Sequence, residues 1–125
     1  MRAIDSLEKV CRQHPEWLVP YIDKIQSELN RNTQPSIQWH LAQIYAQVSL
    51  TIGQKTIVIK WLQDLLSSTD IDWIVSANAM QALVKFTKED SVPRDTTLLL
   101  LKIQQEHKSK SVVKKANKLL LEVSY

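Results

Sequence analysis

Four stretches of this 125-residue chain, beginning at Ile4, Gln38, Ser76 and Val113 and offset by 34, 38 and 37 residues, superimpose as one helical pattern written four times. The interior columns of the overlay read Leu7, Leu41, Ala79, Ala116; Val10, Ile44, Ala82, Leu119; Cys11, Tyr45, Leu83, Leu120; and His14, Val48, Phe86, Val123. Only His14 departs from the apolar rule. Three further columns contain no apolar residue: Ser6, His40, Asn78, Lys115; Lys9, Gln43, Gln81, Lys118; and Gln13, Gln47, Lys85, Glu122. A period of this length marks stacked supersecondary units, each unable to bury its own apolar face without a neighbour.

Composition agrees with that constraint. A chain of this length with 44% apolar and 23% charged residues fits one globular domain with a true core. One glycine and four prolines supply too little turn chemistry for a closely spaced all-β fold, so helices are expected throughout. The single Cys11 cannot close an internal disulfide, which points to a reducing compartment and hence the cytoplasm. The opening Met1-Arg2-Ala3-Ile4-Asp5 begins no long apolar run, and no stretch approaches the roughly 18 apolar residues of a membrane span, so the chain reads as soluble and unsecreted.

Local signals divide the chain into seven helices of two alternating kinds. Pro15 suits the first turn of a second helix, which is expected to turn Trp17, Tyr21, Ile22, Ile25 and Leu29 inward, with Pro20 in or near its first turns. Pro35-Ser36 opens a third. Thr51 followed by Gln54 has capping-box spacing and starts a fourth helix, whose Ile57, Val58, Ile59, Trp61, Leu62, Leu65 and Leu66 cover more than half its circumference and make it the expected centre of the core. Asp70 or Asp72 caps the helix from Trp73 to about Lys88. Ser91-Val92-Pro93 precedes another containing Leu98 to Leu101 and Ile103, and Ser109 to Ser111 makes the last turn.

Paired in this way, residues 15 to 49, 51 to 88 and 92 to 124 resemble three HEAT-like repeats, with residues 2 to 13 as the second helix of a preceding unit. Leu18-Val19-Pro20-Tyr21-Ile22 is similar to the family's proline-bearing A helix, and Val113-Lys114-Lys115-Ala116-Asn117-Lys118-Leu119-Leu120 to its B helix. The chain departs from the family where the A helices from Thr51 and Ser91 lack an internal proline, and where Asp5, Trp39 and Ala77 occupy the usual basic position; armadillo-like or generic units fit as well. The resemblance implies an all-α, right-handed α-solenoid of about three helical hairpins plus an N-terminal helix. Its B helices would line a concave surface of the kind that holds protein partners and sometimes nucleic acid.

On that reading the polar columns form a strip running from Lys9 and Gln13 through His40, Gln43, Gln47, Asn78, Gln81 and Lys85 to Lys115, Lys118 and Glu122. Facing water would explain the same polarity. Trp39 points away from the apolar stripe of its helix, with Ala42 and Ala46 on its side, and is either a core filler under the next helix or an aromatic anchor for a partner. Charge is uneven: Lys102 to Lys118 holds six lysines against Glu106, a local +5 within a net +3, which leaves the remainder at −2. Such a cluster is either a solvated face or an anion-attracting patch.

No chemistry for a reaction stands out. His14, His40 and His107 share no ligand spacing with one another or with Cys11, so no metal site or cofactor is expected, and Cys11 falls in an apolar column. Gly53 alone cannot build a phosphate-cradling loop. The leading expectation is a non-enzymatic protein-interaction scaffold; the alternative is nucleic-acid binding through Lys108, Lys110, Lys114, Lys115 and Lys118. Against the alternative, the tryptophans Trp17, Trp39, Trp61 and Trp73 lie upstream of these lysines and are not interleaved with them. Ala3, Ile4 and Leu7 suggest an apolar outer side on the first helix, and so self-association or a docked partner there.

Overall fold

The computed structural model describes residues 2–124, with the side chains of Arg2, Ala3 and Asp5 outside that description. Among the described residues there is no strand. The helices are α1 (Arg2–Gln13), a 3₁₀ helix (Pro15–Tyr21) running into α2 (Ile22–Leu29), α3 (Pro35–Gln47), α4 (Ile52–Leu66), α5 (Trp73–Lys88), α6 (Arg94–Gln104) and α7 (Lys110–Ser124).

Helix starts follow side-chain chemistry. Thr51 Oγ1 accepts from the Gln54 amide while Gln54 Oε1 accepts from the Thr51 amide, a reciprocal capping box that satisfies two otherwise orphaned donors of α4. Asp72 Oδ1 accepts from the amides of Ile74 and Val75 at the start of α5. The end of α5 is a Schellman closure: Ser91 N–H donates to Phe86 O and Asp90 N–H to Thr87 O, with Asp90 in the left-handed region at φ 62°.

The four helices of the repeated pattern are neighbours in order. α1 packs on α3, α3 on α5 and α5 on α7, while α4 lies against α5 and α6, and α6 against α7. None of the sixteen interior-column residues is exposed; Leu41, Ile44, Tyr45, Ala79, Leu83 and Ala116 have no accessible surface. Each large apolar side chain so buried contributes roughly 1.5–3 kcal/mol of hydrophobic stabilisation.

Polar ties link the second set of helices. Gln104, fully buried on α6, donates to Leu66 O and Ser68 O and accepts from Ser76 Oγ, tying the end of α4 and the start of α5 to α6. Gln54 Nε2 donates to Asp23 Oδ1 and Gln26 Nε2 to Gln54 O, doing the same between α2 and α4.

Three expectations need correction. The inward stripe after Pro15 is Leu18, Ile22, Ile25 and Gln26, whereas Trp17 and Tyr21 are 57% and 58% exposed. They sit one position, about 100°, to the side of that stripe, and Trp17 has its own partner in the His14 ring, stacked at 4.0 Å. Pro20 does lie in the first turns of this segment, which are 3₁₀, and the α-helix begins after it, because proline lacks the amide an α-helical turn needs. The core centres on α5, which has neighbours on more sides than α4; Ile57 of α4 is half exposed. On α1, Ile4 is buried and Leu7 half-buried, and the outward Ser6, Lys9, Arg12 and Gln13 are polar. Ala3, the other residue of that apolar-side expectation, lies outside the described side chains.

Candidate interaction surfaces

The polar columns are brought together most closely between α3 and α5. Gln43 Nε2 donates to Asn78 Oδ1 at 3.0 Å, Asn78 Nδ2 donates back to Ile74 O, and Gln47 Nε2 donates to Gln43 O. Gln47 and Lys85 then line one hollow of about 290 Å³, together with Lys55, Phe86 and Glu89. Lys55 and Lys85 lie over the Phe86 ring at 6.0 and 5.4 Å and reach opposite oxygens of Glu89 at 3.7 and 3.4 Å. Toward α7 the strip closes through Lys88 Nζ, which donates to Glu122 Oε2 at 3.2 Å. Gln81 and Lys118 are exposed and Lys115 half-buried; Lys9 and Gln13 are exposed on α1.

His40 departs from the strip. It is 7% exposed, with its Nδ1 against Ser36 O and its ring 3.7 Å from that of Trp39, so it offers partners almost no surface. Trp39 itself is half-buried on that stack.

The other histidines and the cysteine are equally committed. His107 is buried; Ser109 N–H donates to its Nδ1 at 2.9 Å, which leaves the ring proton on Nε2 to be donated to Ile71 O at 2.7 Å. His14 faces Glu16 at 3.2 Å. Burial pushes the Cys11 thiol up to about 11, and the nearby Glu8 carboxylate adds to the rise, so this sulfur stays protonated and weakly nucleophilic. Glu8 is itself held by Arg12, whose Nε lies 2.8 Å from Glu8 Oε2 but off the hydrogen-bonding line, an ion pair only. Among the described residues no group of three His, Cys, Asp or Glu side chains could hold a metal ion, and no helix is long and apolar enough to cross a membrane.

A second feature escaped the sequence. Trp73, 53% exposed at the start of α5, lines a hollow of about 320 Å³ with Asp70, Asp72, His107, Lys108 and Ser109. A hollow of about 280 Å³ adjoins it at His107 and Lys108 and is walled by Lys110, Val113, Lys114 and Asn117. Trp73 and Lys108 are far apart in the chain, and only the packing of α6 and α7 on α5 makes them neighbours. The one hint in the sequence was that Trp73 precedes the interior columns of its helix and so had no assigned place in the core.

Comparison with known protein families, with curated proteins and with solved structures finds no match to this chain.

Proposed function

We propose that the chain is a non-catalytic protein-interaction module: a right-handed α-solenoid of HEAT-like hairpins that presents the polar strip of α1, α3, α5 and α7 to a partner protein. The observation that carries this reading is the Gln43–Asn78 hydrogen bond, with Gln47 and Lys85 beside it across a shared hollow. Gln43 and Asn78, 35 residues apart and from neighbouring columns of the overlay, meet across adjacent helices, and Gln47 and Lys85, 38 apart and from one column, line the same hollow, an arrangement that stacked repeats would produce. The consequence is one continuous surface rich in amides and paired charges, which suits the polar, hydrogen-bonded character of a non-obligate interface.

A photo-crosslinking side chain at exposed Gln81, compared with one at Lys60 on α4, tests it in lysate of the native cell. Protein adducts from position 81 that position 60 does not give, abolished by Gln43→Glu with Gln47→Glu at unchanged melting temperature, are the expected result. Equal adducts from both positions, or none from position 81, would remove the reading.

A further inference from the structure

We propose a second binding site, distinct from the polar strip, at the edge formed by Trp73, Lys108, Lys110 and Lys114, and infer that its ligand is single-stranded nucleic acid. One base stacks on the Trp73 indole and the flanking phosphates lie on the three lysines.

Charge comes first. Lys55, Lys60, Lys85 and Lys88 each face a carboxylate, at 3.7, 3.6, 3.4 and 3.2 Å. Among the described residues Lys108, Lys110 and Lys114 have no such ion pair, and all three are exposed. Side chains that merely solubilise a helix are usually interspersed with acidic ones; here Lys110 and Lys114 stand one turn apart on α7, about 6 Å along its axis, with no carboxylate between them. That spacing is comparable with the distance between successive phosphates of an extended strand. The buried core of α7 is Val112, Ala116, Leu119 and Val123, and Lys110, Lys114 and Asn117 project from the opposite side, away from the strip residues Lys115 and Glu122.

Next to this charge lies a stacking surface. A half-exposed indole at the mouth of a hollow is a costly feature to leave in water, and base stacking on an aromatic ring is a sequence-tolerant way to use it. Asp70 and Asp72 line the Trp73 hollow, whereas no acidic residue lines the adjoining one walled by Lys110 and Lys114. Phosphate is repelled from the first and drawn to the second, which leaves the lysines for the backbone and the indole for the base. The platform is held in place, because Asp72 is fixed by the α5 amides and His107 ties the α6–α7 turn to Ile71 O. A duplex has no free base to stack, so the site selects single strands. An acidic peptide would satisfy the lysines but supplies no planar partner for Trp73.

The test uses the whole chain and a fluorescein-labelled twelve-residue oligothymidylate, with a duplex of the same length and a polyglutamate peptide of equal charge as competitors. The expected results are competition by unlabelled oligothymidylate alone, and a log K against log salt slope near −2 for three neutralised phosphates. Tryptophan quenching by unlabelled strand should be present in the wild type and lost in Trp73→Phe, which places the signal among the four indoles. Trp73→Ala should weaken binding about 5- to 100-fold, with Trp73→Phe recovering most of it. Lys108→Gln, Lys110→Gln and Lys114→Gln together should flatten the salt slope at unchanged melting temperature.

Absence of binding at low salt would overturn the proposal. So would equal competition by duplex or polyglutamate, or unaltered affinity in Trp73→Ala. Adducts from position 81 should persist in the triple lysine variant, so failure here and failure of the strip are separately readable.

Discussion

Helices α5 and α7 carry the same repeated pattern at nearly the same length, 16 and 15 residues, yet they meet the solvent differently. α5 has α3, α4, α6 and α7 around it and buries Val75, Ser76, Ala79, Met80, Ala82, Leu83, Val84, Phe86 and Thr87. α7 packs on α5 and α6 and buries only Val112, Ala116, Leu119 and Val123. Where α5 has Met80 and Val84 against neighbours, α7 has Asn117 and Leu121 in water. The pattern therefore specifies one buried face, and the number of neighbours decides what the second face must be.

The largest test of that difference pairs two leucines. Leu83→Ala should lower stability by about 2–5 kcal/mol through lost burial and a residual cavity, whereas Leu121→Ala, at a 62% exposed position, should change it by less than about 0.5 kcal/mol. Urea unfolding midpoints read both; comparable losses would erase the contrast.

Gln104→Ala should cost about 3 kcal/mol, because it leaves Leu66 O, Ser68 O and Ser76 Oγ short of partners where α4, α5 and α6 meet. Its neighbour Gln105, which donates to Asn117 at the exposed α6–α7 corner, should tolerate alanine within about 0.5 kcal/mol. A similar loss for both would place the tie at the α7 edge rather than around α5.

At the α1–α3 seam, Cys11 Sγ faces Ile44 O and its folded pKa is raised from 9.0 to about 11. The folded state holds the proton more tightly than the unfolded chain. This contribution is thus fully present below pH 9 and is lost as pH rises through about 11. Tyr45, raised by burial, acts in the same direction at higher pH. Cys11→Ala should flatten the fall in melting temperature across that interval, and an unchanged alkaline profile would assign it elsewhere.

The smallest effect separates the lysines. Lys85→Gln removes a pairing with Glu89 and a contact with the Phe86 ring and should cost at most about 1 kcal/mol, while Lys114→Gln should cost nothing measurable. A loss at Lys114 would give it a structural task and weaken the case for a free anion site.

The all-helical class, the caps at Thr51 and Asp72, the order of the helices and the interior columns were legible in the chain itself. Helical periodicity and capping are local, and they are set by side chains within one or two turns of each other. The phase of the segment after Pro15 was less legible, since the aromatic Trp17 and Tyr21 looked like core while smaller Leu18 and Gln26 took the inward positions. An amphipathic ring can cover a neighbour such as His14 without entering the core, and bulk alone does not reveal this.

Packing alone decided which helix became the centre, that His40 would be withdrawn beneath Trp39, and that Trp73 would stand beside Lys108. Each depends on which faces of distant helices meet. A linear pattern records that a face is apolar or polar, but not what lies across from it; the juxtaposition exists only once burial of the apolar columns has drawn α3, α5 and α7 side by side.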